Sequence, residues 1–326
     1  MKQRQILFTG IRQLEIVENN LPAPGDGQVL VRTEVSLMST GTENICFNRL
    51  FAPGTHWDNW VKYPFEPGYS TVGVVEAIGP NVSAIKVGDR VAHRRGHASA
   101  HVVGQDMCNT VPDAVPAEYA AWSALGRITY NGARQVGFHL GDRVAIVGAG
   151  PIGQMTLRWA MACGAEESVM IDSMPKRLDI AKKGGATYTL NANVADVKPQ
   201  IEELLGMLPD VVADATGHQV VFEAALKLVR TQGRMLLIGD TGTPTEQRLT
   251  GDVVCRAISI HGAHDGTTYP DRSRDDIAQL FFRLVSSGRF RMDGMNTHWF
   301  SPDQAADAYR LANEARGETM GILFRW

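Results

Sequence analysis

The spacing of hydrophobic positions changes character near residue 124. Before it, Val and Ile fall in short alternating or filled runs, at 28–35 and 71–78, punctuated by Pro22-Ala23-Pro24-Gly25 and Gly79-Pro80-Asn81. Val87-Gly88-Asp89-Arg90-Val91 reads as a turn feeding another strand, and helical spacing is nearly absent until Glu118-Tyr119-Ala120-Ala121. From about 125 to 288 apolar runs alternate with amphipathic stretches. Strands are predicted up to Val147 and at 168–171, 186–190, 210–215, 234–238 and 255–261, with helices at 176–183, 198–205, 219–229 and 274–286. The tail from Arg289 is mixed, with a helix at 304–313 and an apolar strand at 321–324 that completes the first domain. Many short strands followed by regular βα alternation define two domains of different class, 1–124 with 289–326 and 125–288, in an α/β chain.

The segment from Arg143 to Asp172 carries the strongest chemical signal. An apolar strand runs into Gly148-Ala149-Gly150-Pro151-Ile152-Gly153, an amphipathic helix follows, Gly164 ends it, and a second apolar strand closes on Asp172. Gly148 allows the tight turn, Gly150 lets backbone approach a pyrophosphate, and Gly153 lets the helix lie close on the strand. The helix N-terminus offers unpaired N–H groups to phosphates. Asp172 is placed to accept from adenosine ribose hydroxyls and to repel a 2′-phosphate, which favours NAD over NADP, while Lys176 and Arg177 soften that preference. Thr216 and Gly217, after a strand at Asp214, and Gly239, ending the next, face the same cofactor by the rule that ligands bind beyond the carboxyl ends of parallel strands.

Length and charge narrow the partners. With 326 residues the chain can bury two cores, and a formal net charge of −3 gives no reason to expect nucleic acid or an anionic membrane. No stretch is apolar for long enough to span a bilayer, and the opening MKQRQILFTG lacks a signal-peptide pattern, so a cytoplasmic protein acting on a small molecule is expected. Cys46, Cys108, Cys163 and Cys255 are scattered singly, with no CxxC, which argues against a thiolate zinc site and a disulfide framework.

The stretches PGYSTVGVVEAIGPNVSAIKVGDRV, VAIVGAGPIG and DVVADATG, spread over most of the chain, resemble the medium-chain dehydrogenase/reductase superfamily of alcohol dehydrogenase relatives. The resemblance implies a GroES-like barrel, a Rossmann doubly wound parallel sheet, substrate in the cleft between the two, and a homodimer joined through residues 257–261. Zinc-dependent members hold a catalytic metal at three positions that here correspond to Met38, Tyr69 and the neighbourhood of Ala124, and their cysteine-rich lobe is missing. A thioether and a phenol do not make a zinc site, so the chain is similar to a zinc-independent branch. Ser39-Thr40-Gly41-Thr42-Glu43 and Tyr63-Pro64-Phe65-Glu66-Pro67-Gly68-Tyr69 are similar to the matching stretches of bacteriochlorophyllide hydroxyethyl dehydrogenases, with branches acting on sugars, cyclitols or other polyols equally compatible.

Without a Lewis acid, hydrogen-bond donors must stabilise charge on the reacting oxygen. Thr40 matches the family hydroxyl that contacts substrate, and Glu43 is a candidate to receive the proton. Tyr69 is either a site phenol or a structural one. The basic run His93-Arg94-Arg95-Gly96-His97 with His101 is a solvated connection or supplies an acid/base in His97 or His93. Arg94 and Arg127 are candidates for an anionic substrate group, His264 for a place near the nicotinamide, and Trp57, with Trp60 and Trp122, for aromatic lining or core. The expected activity is an NAD(H)-dependent, zinc-independent interconversion of a secondary alcohol and a ketone. The alternatives are an NADPH-dependent quinone or enoyl reductase and a non-catalytic NAD-binding sensor.

Overall fold

A computed structural model describes residues 1–326. In chain order the elements begin with β1 (Lys2–Gly10), β2 (Gln13–Asn20), β3 (Gln28–Met38), α1 (Thr40–Asn48), α2 (His56–Trp60), β4 (Thr71–Ile78), β5 (Arg90–His93), β6 (Ala100–Gly104), β7 (Asn109–Thr110) and α3 (Ala117–Ala120). There follow α4 (Ser123–Val136), β8 (Arg143–Val147), α5 (Pro151–Ala162), β9 (Glu167–Asp172), α6 (Pro175–Lys183), β10 (Tyr188–Asn191), α7 (Lys198–Leu205), β11 (Val211–Asp214), α8 (Gln219–Leu226), β12 (Arg234–Leu237), α9 (Asp252–Cys255) and β13 (Ser259–Gly262). The chain closes with α10 (Arg274–Ser286), β14 (Asn296–Phe300), α11 (Ala305–Glu314) and β15 (Gly321–Arg325). No helix is long and apolar enough to cross a membrane.

Two compact units emerge, one of residues 1–124, 270–287 and 296–326, the other of 125–269 and 288–295. The helix α10 therefore belongs to the first unit, although its place in the sequence assigns it to the second. Two side-chain bonds show the attachment: Asn109 Nδ2 donates to Asp275 Oδ1 at 3.0 Å, and Gln279 Nε2 to the Thr110 carbonyl at 2.9 Å.

In the second unit six parallel strands lie in the order β10-β9-β8-β11-β12-β13, so winding reverses between β8 and β11. Alternate residues of one strand enter opposite cores. Ala145 and Val147 join Val169, Val212, Phe222 and Met235, while Val144 and Ile146 join Leu157, Met170, Ala213 and Leu236. Burial on both faces is why these strands read as filled apolar runs. One expectation fails here: 255–261 is not a single strand. Cys255 ends the short helix α9, Ala257 takes a left-handed φ of 50°, and pairing to β12 starts only at Ser259.

The first unit is built on β3, which pairs antiparallel with β15, β4 and β6 in a sheet ordered β14-β15-β3-β4-β5-β7. Val29, Val31, Val75, Ile85, Val91 and Val103 fill one core, and Phe8, Met38, Cys46, Phe47, Trp57, Tyr309 and Phe324 lie in another. This half is less purely β than its sequence suggests. The helices α1 and α2 depart from its strand-rich spacing, and α1 is hard to read because TGTENICFN offers little amphipathic period and a glycine in its first turn.

Candidate active site

The β4–β5 ladder pairs Thr71 with His93, so Tyr69 and Arg94, each just beyond the paired ends, come to the same place. There the Arg94 guanidinium carbon lies 4.8 Å from the centre of the Tyr69 ring. The Tyr69 hydroxyl is 2.5 Å from Ser39 Oγ and 3.3 Å from Thr42 Oγ1 at the start of α1. Ser39 occupies the N-cap position, yet its hydroxyl does not cap the helix. It serves Tyr69 instead. Burial pushes the Tyr69 phenol above its ordinary value and Glu43 adds to the rise, while the Ser39 and Thr42 bonds and Arg94 act in the opposite direction.

Beneath this pair lies a second, fully enclosed set. Glu43 Oε1 accepts from the Ser39 N–H at 2.7 Å, and Oε2 accepts from the Tyr309 hydroxyl at 2.5 Å and faces His97 Nε2 at 3.0 Å. His97 Nδ1 is 2.8 Å from Ser36 Oγ, which also accepts from Trp326 Nε1 at 2.9 Å. Glu43 is 1% exposed and His97 0%. The imidazole fits only because residue 68 is glycine: Gly68 has φ +86°, and a Cβ there would meet His97 Nε2 at 2.7 Å. Burial and the neighbouring Glu43 charge together hold the Tyr309 phenol well above its usual range.

The other residues singled out in the sequence fall in different surroundings. The hydroxyls bonded to Tyr69 are those of Ser39 and Thr42; Thr40, expected to contact substrate, opens α1 and is itself buried. Glu43 and His97 meet each other in the interior, not on an open face. His93 packs edge-on against His101 with ring centres 4.9 Å apart, and neither of its nitrogens has a protein hydrogen-bond partner. Desolvation drives His93 well below the ordinary imidazole range and His101 down to about 4. Trp57, 3% exposed, is core, and so is Trp122, whose indole N–H donates to Asn296 Oδ1 at 2.7 Å. Trp60 is half exposed. Arg127 is occupied by Asp265, with two bonds of 2.6 and 3.2 Å, so its charge is already matched. His264 is exposed, and its Nδ1 accepts from the Gly266 N–H at 3.1 Å. Ser39 was legible only as half of a pattern, a serine followed four residues on by an acid that reaches back to its N–H.

In the second unit the glycine turn has the shape a dinucleotide needs. A Cβ on Gly153 would lie 1.8 Å from the Gly148 carbonyl oxygen, so α5 packs against β8 at a distance only glycine permits. A Cβ on Gly150 would meet nothing nearer than Arg177 Nη1 at 3.7 Å, which leaves that backbone open to a ligand. Pro151 and Ile152 begin α5, with Pro151 in its first turn where no N–H is needed. Asp172 ends β9 half-buried, its Oδ2 accepting from the Ala149 N–H at 2.6 Å and its Oδ1 from the Met174 N–H at 2.8 Å. Gly217 and Gly239 serve close packing between strand ends, since a Cβ on either would fall 2.3 Å from backbone of the other loop. The Thr216 hydroxyl is committed to Asp214 Oδ1 at 2.6 Å. Burial raises the Asp214 carboxyl, and the bonds from Thr216 oppose that rise.

Residues 25–122 match the alcohol dehydrogenase GroES-like domain and residues 151–286 the zinc-binding dehydrogenase domain. The chain belongs to the medium-chain, zinc-type alcohol dehydrogenase family, whose members bind nicotinamide cofactors. It is 26% identical to the sorbitol dehydrogenase of Gallus gallus over 349 residues, covering 96% of this chain and 93% of that protein. In fold it is similar to an alcohol dehydrogenase of Escherichia coli CFT073 complexed with NADH, at a TM-score of 0.83, 21% identity and coverage of 100% and 99% of the two chains. It is also similar to a zinc-binding dehydrogenase of Sinorhizobium meliloti 1021 bound to NADP, at 0.85, 19% and 100% of both.

The residues present do not fit the zinc that this family name implies. Met38 is buried among apolar side chains, Tyr69 is bonded to Ser39, and no three His, Cys, Asp or Glu side chains are grouped to hold a metal ion.

Proposed function

We propose that the chain is an NAD(H)-dependent dehydrogenase that interconverts a secondary alcohol and a ketone without a metal ion, with Tyr69 moving the proton. The observation that carries this reading is the Tyr69 hydroxyl held by Ser39 under the Arg94 guanidinium. In the reductive direction Tyr69 donates its proton to the forming alkoxide. Ser39 then donates to the phenolate left behind, and Arg94 stabilises its charge through the ring face. Glu43 and His97 are positioning residues: they fix the Ser39 backbone and hence its hydroxyl. When bound, the nicotinamide supplies or accepts the hydride.

The Asp172 carboxylate, oriented by two backbone N–H groups, supports NAD(H), because a 2′-phosphate would meet its negative charge. Kinship with a sorbitol dehydrogenase supports a polyol, sugar, cyclitol or hydroxyethyl substrate. The β13 strand at the sheet edge is free to pair with its copy, which supports a homodimer. The specific alternative is an NADPH-dependent reductase, favoured by the Arg177 guanidinium beside Gly150. An assay of purified, chelator-treated protein against polyols, sugars, amino alcohols and hydroxyethyl tetrapyrroles decides. Turnover with NAD that survives chelation and falls about a hundredfold or more in Tyr69→Phe is expected. Turnover abolished by chelation and restored by zinc would overturn the proposal, a preference for NADPH would favour the reductase, and NAD binding without turnover would favour the sensor.

A further inference from the structure

Inside α5 a glutamine occupies a place where an apolar side chain would fill the same space. Gln154 is 0% exposed and makes three side-chain bonds. Its Nε2 donates to the Ala149 carbonyl at 3.1 Å and to the Arg177 carbonyl at 2.8 Å, and its Oε1 accepts from Arg158 Nη1 at 3.0 Å. The amide orientation is settled by this set, because a guanidinium has only donors and two carbonyls only acceptors.

The two carbonyls belong to the two segments, the glycine turn and the start of α6, that would read the adenosine end of a dinucleotide. Ala149 sits between Gly148 and Gly150, and while Gln154 holds its carbonyl, its N–H is held by Asp172 Oδ2 at 2.6 Å. Arg177 lies in the first turn of α6, with its guanidinium 3.7 Å from where a Gly150 Cβ would be. One buried amide thus ties the glycine turn to the segment that runs from Asp172 at the end of β9 to Arg177 in α6. Arg158 secures the amide. It is 1% exposed, has no carboxylate among its hydrogen-bond partners, and donates to the Gln154 carbonyl at 2.9 Å and to the Arg291 carbonyl. Burial lowers its guanidinium to about 9. A buried cation whose hydrogen bonds go to carbonyls and an amide, with the Asp293 charge offsetting only part of the cost of burial, is an expensive way to pack a helix, and a well-fitted apolar side chain would be cheaper.

We infer that Gln154, backed by Arg158, is a specificity-determining positioning residue: it sets the spacing between Asp172, Arg177 and the glycine turn, and thereby the discrimination between a free and a phosphorylated ribose 2′ position. The inference rests on the dinucleotide reading above. It requires that loosening the amide change the ratio of affinities for the two ligand classes, beyond any change in fold stability.

The test measures, by calorimetry on the full chain, the affinities for ADP-ribose and 2′-phospho-ADP-ribose, with a thermal melt of each variant. Wild type is expected to prefer ADP-ribose. Gln154→Met removes all three bonds at nearly the same volume, and Gln154→Glu keeps the Arg158 contact while setting a carboxylate against the two carbonyls. Both are expected to move the ratio toward unity by about tenfold, the effect of losing one to two hydrogen bonds. Arg158→Met, which leaves the amide but frees its orientation, should move it less. A cooperatively melting variant at position 154 with the wild-type ratio overturns the inference alone. Wild type that binds neither ligand overturns it together with the reading beneath it. If neither position-154 variant melts cooperatively, the ratio in Arg158→Met decides, and an unchanged value overturns the inference.

Discussion

The hydroxyl of Tyr309 donates to Glu43 Oε2 at 2.5 Å, joining α11 to α1 at a buried carboxylate that also takes the Ser39 N–H and faces His97. Removing the acceptor strands all three partners. Glu43→Ala is therefore expected to destabilise the protein by about 3–5 kcal/mol, and Tyr309→Phe by about 1–3 kcal/mol, in urea denaturation. The phenol of Tyr309 is raised in the folded state, so its contribution is complete below the unfolded value of about 10 and is lost as pH climbs beyond it. Tyr309→Phe should flatten that alkaline decline, seen as a smaller fall in melting temperature above pH 10.

Tyr69 should impose its titration on the rate. Its phenol is raised, chiefly by burial, so the protonated form required for ketone reduction persists through neutral pH. The reductive rate is expected to be flat from pH 7 to 9 and to fall only above about 10, while alcohol oxidation rises with pH over the same range. Ser39→Ala should shift the fall further upward, because the phenolate loses a donor. A reductive profile controlled by a group titrating near 6.5 would point to an imidazole instead.

The His93–His101 pair predicts sensitivity to acid. Both imidazoles are depressed by desolvation, so folding favours their neutral forms, and the stability they contribute above pH 6.5 is lost as pH falls toward 4. His97 and Arg95 add like charge around His101, and Arg95 does so around His93, which works in the same direction. Each histidine should contribute a slope of up to about 1.4 kcal/mol per pH unit in that window. The double substitution His93→Phe and His101→Phe should reduce the slope of unfolding free energy between pH 6.5 and 4.5, measured by urea titration at each pH.

Two glycines of one motif should fail differently. Gly153→Ala drives a methyl to 1.8 Å from the Gly148 carbonyl and is expected to lower the melting temperature along with nucleotide binding. Gly150→Ala meets nothing closer than 3.7 Å, so the melting temperature should hold while NAD affinity falls, as read by calorimetry.

Much of the fold is visible in the chain's periodicity because the parallel strands are covered on both faces: Val211, Val212 and Ala213 of β11 are wholly buried and read as an unbroken apolar run. The helices α7 and α10 begin and end where their spacing predicts, at Lys198–Leu205 and Arg274–Ser286. What stayed hidden depends on contacts distant in sequence. Tyr309 reaches Glu43 across 266 positions, and nothing local marks either residue as half of a pair. The α1 helix was obscured by its glycine and by threonines, which favour caps over helix interiors, and by a serine whose hydroxyl is turned away to Tyr69. The basic run at 93–97 is uniform in sequence, yet His93 ends β5 in the interior, while the chain beyond the strand leaves Arg95 exposed and puts Arg94 over an aromatic ring.

The pairing of Thr71 with His93 also bears on how this protein can change over time. Residues 79–89 join β4 to β5 at the far end of that ladder, where an added or deleted residue leaves the Thr71–His93 register intact. A single insertion at the opposite end, between Tyr69 and Thr71 or between His93 and Arg94, would turn one partner to the other side of the sheet and part the phenol from the guanidinium. Variants of this chain that keep the chemistry should therefore differ in length on one side of the ladder and never on the other.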